Sequence, residues 1–313
     1  RVFNYSCLYI GINRYCYRRD DQHWDRRDGY GQNISLHREQ EVCLATAGEI
    51  GDIHGGMNMT ILSVNQVCKT FKTNNGGQIR AVDEVHLSIA ENDFVCIVGP
   101  SGCGKSTLLR IAAGLEPASS GDIRFRGQEI KKPHPHIGMV FQEYSLFPWL
   151  PVIDNVASGP EFSGMKKMER IELAQHYLEV VGMSEFADAF PHELSGGMRQ
   201  RVAIARAFAN DPKILLMDEP FGSLDAHTRI LLQKELLRIW ETHRKTILFV
   251  THSVDEAVYL ADRVVIMSAR PGKVKEILKI DMGRPRSRAN PSYGELTDRI
   301  LQQLEHEVIG FQN

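Results

Sequence analysis

The chain has 313 residues, of which 42% are hydrophobic and 24% are charged, and its formal net charge is −2. This composition is typical of a soluble globular protein with one large domain or two ordinary ones. The near-neutral charge argues against a protein that binds nucleic acid electrostatically, and no apolar run is long enough to span a bilayer. The six cysteines lack metal-binding spacing and are expected to be free thiols in a reducing compartment.

Residues 1–58 differ in composition from the rest of the chain. They begin with Arg1 and mix Tyr, Arg and Asp without an apolar period, and they contain no apolar stretch of the kind a signal peptide needs. Regular patterns begin only after Met57-Asn-Met59. We therefore expect the natural start at Met57 or Met59, with residues 1–58 as an over-extended reading frame or a disordered extension.

From Thr60 onwards, segments with strand character alternate with segments of helical character. Three segments show the period-2 alternation of a half-exposed antiparallel sheet: Ile61–Val64, Val82–Ile89 and Asp122–Phe125. Five short apolar segments are expected as parallel strands covered by helices on both faces: Phe94–Val98, Ile137–Phe141, Ile214–Met217, Thr246–Val250 and Val264–Met267. The sequence therefore predicts an α/β fold with a parallel core sheet and an antiparallel β subdomain.

Two regions have a helical apolar period without strand signals. The pattern from about Glu143 to Leu194 is helical throughout, so we expect an inserted helical subdomain at about residues 143–197. Near the end, Leu296, Ile300, Leu304 and Val308 recur every fourth residue. They predict a terminal amphipathic helix within residues 287–313 that docks on its own domain.

A glycine-rich loop follows the predicted strand Phe94–Val98 and precedes a helix. Its residues, in the pattern G-x-x-x-x-G-K-[ST], are Gly99, Pro100, Ser101, Gly102, Cys103, Gly104, Lys105, Ser106 and Thr107. Backbone N–H groups of such a loop cradle phosphate oxygens, and the helix N-terminus adds its positive dipole end. Lys105 would reach the β- and γ-phosphates and Ser106 would ligate Mg²⁺, so the loop predicts a nucleoside triphosphate site.

An acidic pair follows another predicted strand. Ile214–Met217 brings Asp218 and Glu219 to the carboxyl end of that strand, where ligands of α/β sheets bind. Asp218 suits the acid that holds Mg²⁺, and Glu219 suits a general base or an orienter of water. Two acids after a strand can also simply cap a turn, but the glycine-rich loop favours the catalytic interpretation.

The segment Leu194-Ser-Gly-Gly-Met198 opens a predicted helix, Met198–Ala209. Serine and two glycines at a helix start expose N–H donors that suit a phosphate, although Ser195 as a plain N-cap is also explained by cap preference. The order of motifs distinguishes the two interpretations. That order is the glycine-rich loop, an isolated Gln142, the helical block, this segment, the acidic pair, Ser223-Leu-Asp225 and His252.

From about Thr60 to Arg286 the chain resembles the ATP-binding subunit of ATP-binding cassette (ABC) transporters. The resemblance implies a P-loop NTPase fold with a RecA-like parallel core, a cassette over residues 59–286, and ATP and Mg²⁺ as cofactors. It also implies that two cassettes pair head to tail. Gly99–Thr107 of one copy and Ser195, Gly196 and Gly197 of the other would then enclose one ATP.

The same resemblance implies further residue roles. Lys105, Glu219 and His252 would be catalytic, with Glu219 polarising the attacking water and His252 contacting the γ-phosphate. Gln142 would sense the γ-phosphate and ligate Mg²⁺ together with Ser106 and Asp218, and Asp225 would link the two sites. Phe71 lies where the family places an aromatic that stacks on adenine, although Thr73–Gly77 expands the neighbouring stretch. A plain helix-start role for His252 is the alternative.

Two further segments indicate a subfamily. Phe147-Pro-Trp149 forms an apolar knob near Gln142 that suits a helix of a membrane subunit, although packing inside the cassette explains it as well. With Met267–Val274, which contains Ala-Arg-Pro-Gly, and with Gly283–Arg286, the chain resembles importers of nitrate, sulfonate, taurine or bicarbonate.

The resemblance implies a set of partners and a location. The partners are a second cassette, integral-membrane permease subunits and, indirectly, a periplasmic or lipid-anchored solute-binding protein, with no nucleic acid. The location is the cytoplasmic face of the inner membrane, as a peripheral subunit. The alternatives are a soluble ABC ATPase of translation or DNA repair, or a cassette of another transporter class.

Overall fold

The computed structural model describes residues 59–73 and 76–309. The expectations about residues 1–58 lie outside this part of the chain. The strands in the described part are β1 (Thr60–Lys72), β2 (Gln78–Ala90), β3 (Phe94–Val98), β4 (Ser120–Phe125), β5 (Gln128–Glu129), β6 (Ile137–Val140), β7 (Ile214–Asp218), β8 (Thr246–Thr251), β9 (Arg263–Met267) and β10 (Val274–Lys279). The α-helices there are α1 (Lys105–Ala112), α2 (Val152–Phe162), α3 (Lys167–Val180), α4 (Gly196–Ala209), α5 (Ala226–His243), α6 (Val254–Leu260) and α7 (Pro291–Ile309).

The strands form the two predicted sheets. The antiparallel sheet has the order β2–β1–β4–β5, and the core sheet has the order β10–β9–β3–β8–β7–β6. Within the core sheet, neighbouring strands from β9 to β6 are parallel, and only β10 runs antiparallel to its neighbour. The α/β fold with an antiparallel β subdomain is therefore as predicted.

The central strand β3 shows why the core sheet is buried on both faces. Phe94, Cys96 and Val98 point into an apolar cluster shared with the helices α2 to α7, because side chains alternate along a strand. Val95 and Ile97 point the other way, into a cluster formed with α1 and the antiparallel sheet. Both faces of β3 are thus covered, as its unbroken apolar sequence predicted.

The strand predicted at Ile137–Phe141 differs from this arrangement. It ends at Val140, and only that residue is buried. The reason is that β6 lies at the edge of the sheet and pairs with β7 alone.

The helical region begins later than its pattern indicated. Residues 143–151 form a loop, and α2 starts at Val152, directly after Pro151. The buried Asn155 side chain holds this loop by accepting from Phe147 N at 2.7 Å and donating to the oxygens of Phe147 and Leu150 at 3.1 and 2.9 Å. Prolines at 148 and 151 also disfavour helical geometry in the residue before each of them.

The terminal helix α7 packs on its own domain, as predicted. Tyr293 and Ile300 are buried in the apolar cluster, and Leu296 and Leu304 pack against it. The side chain of Val308 lies outside the described part. Among the helices described, α7 included, none combines the length and apolarity needed to cross a membrane.

Replacing Phe94 by alanine is expected to lower the free energy of unfolding by about 3–5 kcal/mol. Phe94 is fully buried, and its ring centroid lies 5.8 Å from that of Trp240 and 6.1 Å from that of Phe249. Urea denaturation followed by far-UV circular dichroism measures the change. The matched control, Phe186→Ala, removes a ring that is 41% exposed and should cost less than about 1 kcal/mol. Equal losses for the two variants would contradict this core assignment.

Candidate functional site

The loops that carry the predicted site residues leave the same edge of the core sheet. Strands β6, β7, β8, β3 and β9 are parallel, so their carboxyl ends lie together. The loops that follow them contain, respectively, Gln142, Glu219, His252, the glycine-rich loop and the segment 268–273. The topology therefore brings residues that are distant in sequence to one side of the molecule.

The glycine-rich loop, residues 99–107, wraps around the ammonium group of Lys105. The Lys105 side chain is buried, and its Nζ donates to the carbonyl oxygens of Gly99 and Pro100 at 2.7 and 2.9 Å. Gly104 has a φ of +100°, and a Cβ there would lie 2.6 Å from the Ala81 oxygen, so the position excludes any larger residue. The loop thus encloses a cation, which an anion-binding loop requires.

Ser106 and Asp218 contact each other directly. The Ser106 hydroxyl donates to Asp218 Oδ1 at 2.7 Å, although the two residues are 112 positions apart. Burial raises the pKa of the Asp218 carboxyl, and the hydrogen bond from Ser106 opposes that shift. A hydroxyl and a carboxylate are oxygen ligands that Mg²⁺ accepts, so this pair fits the predicted metal. Gln142 is exposed, and no hydrogen bond in the described part of the chain joins it to either residue.

Glu219 and His252 form a second pair at this edge. His252 Nδ1 lies 3.1 Å from Glu219 Oε2, and the Glu219 amide donates to the Val250 oxygen at 2.9 Å. Glu219 has a φ of +43°, a strained conformation for a residue with a Cβ. The helix-start role falls to Ser253, whose hydroxyl accepts from Glu256 N, so His252 is not the cap of α6.

The segment Ser195–Gly197 lies at the start of α4. Ser195 caps this helix by accepting from Met198 N at 3.3 Å, as the plain cap interpretation predicted. A Cβ on Gly196 would lie 3.0 Å from Tyr144 Oη, and one on Gly197 would lie 2.9 Å from Thr228 Cγ2. In the described residues no hydrogen bond joins this segment to the glycine-rich loop of the same chain.

Asp225 and Ser223 lie beside the start of α4. Asp225 caps α5 by accepting from Thr228 N at 3.0 Å, and hydrogen bonds from the Thr228 amide and hydroxyl lower the pKa of its carboxyl. The hydroxyls of Ser223 and Tyr144 are 2.7 Å apart. The segment that follows the acidic pair is therefore tied to the segment that follows Gln142.

Phe71 lies near the end of β1, opposite Ile79 of β2. Its side chain is 39% exposed, and Lys69 Nζ lies 5.0 Å from the ring centroid. The ring thus offers a partly open face, and adenine stacking on it stays a prediction.

Comparison with known proteins gives consistent matches. A family model described as "ABC transporter" matches residues 82–222. An uncharacterized ABC transporter ATP-binding protein of Methanocaldococcus jannaschii is 53% identical over 248 residues, which cover 79% of this chain and 92% of that protein. The chain belongs to the ATP-binding proteins of ABC transporters. It is an ATPase cassette, so the family predicted from the motifs is confirmed.

Two further relatives define the similarity more closely. The aliphatic sulfonates import ATP-binding protein SsuB of Bacillus thuringiensis subsp. konkukian is 44% identical to the cassette, over 79% of this chain and 97% of that protein. The dimeric post-hydrolysis structure of the ATP-binding cassette MJ0796, bound to ADP and Pi, has a TM-score of 0.64 at 33% identity. The match covers 71% of this chain and 100% of the MJ0796 chain. This likeness confirms the P-loop NTPase fold.

Arg270 is absent from the predicted site residues, yet it contacts the glycine-rich loop. This residue follows β9, and its Nε and Nη2 both donate to the Gly102 oxygen of the glycine-rich loop at 3.2 Å. In the sequence, the segment that contains Arg270 indicates only the importer subfamily. The available signal was that β9 is itself a predicted strand of the parallel core, so its following loop should reach the same edge as the others.

Proposed function

We propose that this cassette is the ATPase subunit of an importer for a small anion of the nitrate, sulfonate, taurine or bicarbonate class. The observation that carries the proposal is the 44% identity to an aliphatic sulfonates import protein over 97% of that protein's length. The cassette would bind permease subunits peripherally at the inner membrane, and a solute-binding protein would deliver the anion to those subunits.

We propose that the phosphates of ATP bind in the glycine-rich loop. The Lys105 ammonium would exchange the carbonyl oxygens of Gly99 and Pro100 for phosphate oxygens. Ser106 and Asp218 would hold Mg²⁺, which when bound neutralises phosphate charge.

Glu219 is the proposed base or orienter for the attacking water. Its carboxylate stands at the edge of the sheet next to His252, with Oε2 3.1 Å from the imidazole Nδ1. A hydrogen bond from an Nδ1–H of His252 would hold the carboxylate in one orientation and leave the other ring nitrogen for the γ-phosphate. The strained backbone at Glu219 supports a functional role because such conformations concentrate at functional sites.

The position of Ser195–Gly197 supports a head-to-tail pair of cassettes. The N-terminus of α4 has the exposed Ser195 and offers N–H groups to an anion, yet Tyr144 and Thr228 hold it within its own subunit. We infer that it completes the ATP site of a second cassette and that Asp225 lies between the two sites. Closure of the pair around ATP would then shift the conformational equilibrium of the attached permease.

The two aromatic residues of the apolar knob after Gln142, Phe147 and Trp149, differ in exposure. Phe147 is half-buried inside the cassette, where Asn155 holds its backbone and the Arg206 guanidinium carbon lies 5.8 Å from its ring centroid. Trp149 is 54% exposed, with its ring centroid 5.5 Å from that of Phe147. We propose that Trp149 makes the contact with the permease and that Phe147 supports it.

Solute uptake in a strain that lacks this gene tests the proposal. We expect uptake of nitrate, taurine, alkanesulfonates or bicarbonate to fall, and to recover with the wild-type gene but not with the Glu219→Gln variant. Normal uptake of all four solutes would contradict the substrate class. Recovery of the protein only in the soluble fraction, with no membrane subunit bound, would favour the soluble ABC ATPase instead.

A further inference from the structure

We propose that Arg270 is a positioning residue for ATP: it orients the peptide between Gly102 and Cys103 so that the glycine-rich loop receives phosphate. The proposal rests on the proposed ATP site in that loop. It is carried by the contacts of one segment, residues 268–273, which we call the clamp segment.

The clamp segment lies directly against the glycine-rich loop. It follows β9, whose Ile266 pairs with Val98 at the end of β3, so the two loops leave neighbouring strands side by side. A Cβ on Gly272 would lie 1.9 Å from the Cys103 oxygen, which leaves room for glycine alone. Because the two backbones are in contact, a displacement of one loop must displace the other.

The clamp segment is itself held from two directions. Gly272 donates to the Ala81 oxygen and accepts from the Asp83 amide, both at 3.0 Å, and this fixes it to β2. On the other side, the Ala269 amide donates to Glu307 Oε2 of α7 at 3.0 Å. Arg270 therefore extends from a fixed backbone.

The guanidinium of Arg270 acts on one carbonyl. Its Nε and Nη2 both donate to the Gly102 oxygen at 3.2 Å, and Gly102 has a φ of +76°. In a planar trans peptide the carbonyl and the following N–H point in opposite directions. Holding the Gly102 carbonyl towards Arg270 therefore directs the Cys103 N–H into the loop, where it now donates to the Pro100 oxygen at 3.3 Å. An inward N–H is what a bound phosphate requires.

The Arg270 side chain is exposed, so its hydrogen bonds contribute little to the stability of the fold. The orientation needs the paired N–H groups of a guanidinium rather than a charge alone, because a lysine ammonium does not reproduce that rigid fork. These two properties separate a positioning role from a structural role and from a purely electrostatic one.

The test compares Arg270→Ala and Arg270→Lys in the full chain. We expect Arg270→Ala to raise the Kd for a fluorescent ATP analogue and the KM for ATP by about five- to tenfold, within the range expected when one hydrogen bond of ordinary strength to the phosphate is lost. We expect kcat to stay within about twofold, since Glu219 and His252 are unchanged. The Tm without nucleotide should shift by less than about 2 °C, and Arg270→Lys should recover only part of the affinity.

The matched control is Arg299→Ala, which removes an exposed arginine that pairs with Glu276 on α7 and β10. It should leave Kd, KM and kcat unchanged. Wild-type affinity in Arg270→Ala, full recovery in Arg270→Lys, or a fall in Tm that accounts for the lost affinity would each overturn the proposal. Failure of the wild-type protein to bind the analogue would instead refute the ATP site on which the proposal rests.

Discussion

Replacing Glu219 by glutamine is expected to slow ATP hydrolysis about 100- to 1000-fold while ATP still binds. The amide keeps the shape of the carboxylate and can still accept from His252 at the Oε2 position, 3.1 Å from Nδ1 in the wild type. It loses the negative charge and basicity that polarise water. If the proposed pair of cassettes closes on ATP and opens after hydrolysis, ATP-bound dimers should accumulate.

Phosphate release measures the hydrolysis rate of this variant, and size-exclusion chromatography with ATP and Mg²⁺ measures its dimer fraction. The matched control is Glu129→Gln, which changes an exposed acid on β5 that pairs with Lys131. This control should hydrolyse ATP at the wild-type rate. Unchanged turnover in Glu219→Gln would refute the role proposed for Glu219.

Replacing Lys105 by alanine is expected to weaken ATP binding about 10- to 100-fold, because hydrogen bonds to charged groups each contribute about 1.5–3 kcal/mol. Lys105 is the first residue of α1, and two carbonyl oxygens hold its ammonium inside the loop, where the proposed site places the phosphates. Isothermal titration calorimetry with a non-hydrolysable ATP analogue measures the affinity.

The change at Lys105 also removes the ammonium donor from the carbonyls of Gly99 and Pro100, although the Pro100 oxygen keeps the Cys103 amide. The Tm should therefore be measured beside the affinity, to separate a lost phosphate contact from a collapsed loop. Lys279→Ala is the matched control, since Lys279 is exposed and pairs with Asp281. Normal ATP affinity in a folded Lys105→Ala protein would contradict the assignment of the phosphate site.

The apolar pattern predicted the two sheets and the alternation of strands and helices, whereas the site residues were predicted from the motifs that follow the strands. Strand β3 is entirely apolar, and β7 is apolar up to Asp218, because helices or the second sheet cover both faces of each strand. The contact of Ser106 with Asp218 followed from the same rule, because parallel strands end at one edge.

The features that the sequence did not predict depend on contacts between distant parts of the fold, and the apolar pattern of a segment does not record such contacts. The apolar letters of β6 do not reveal that it lies at the edge with one partner, and the loop at 143–151 depends on the amide of Asn155. The role of Arg270 needed the same kind of information. An arginine before a Pro-Gly turn becomes informative only when the Gly102 oxygen is found within reach.

Glu307 ties the helix α7 to Ala269, the residue before Arg270. It also accepts from Lys275 Nζ at 2.9 Å, so its carboxylate joins Ala269 of the clamp segment to Lys275 of the following strand β10. A reporter or affinity tag that displaces this turn of α7 would therefore also displace the clamp segment and, through Arg270, the proposed nucleotide site. For kinetic work a label is better placed on an exposed residue of β5, and a label that strains α7 should change the ATP affinity.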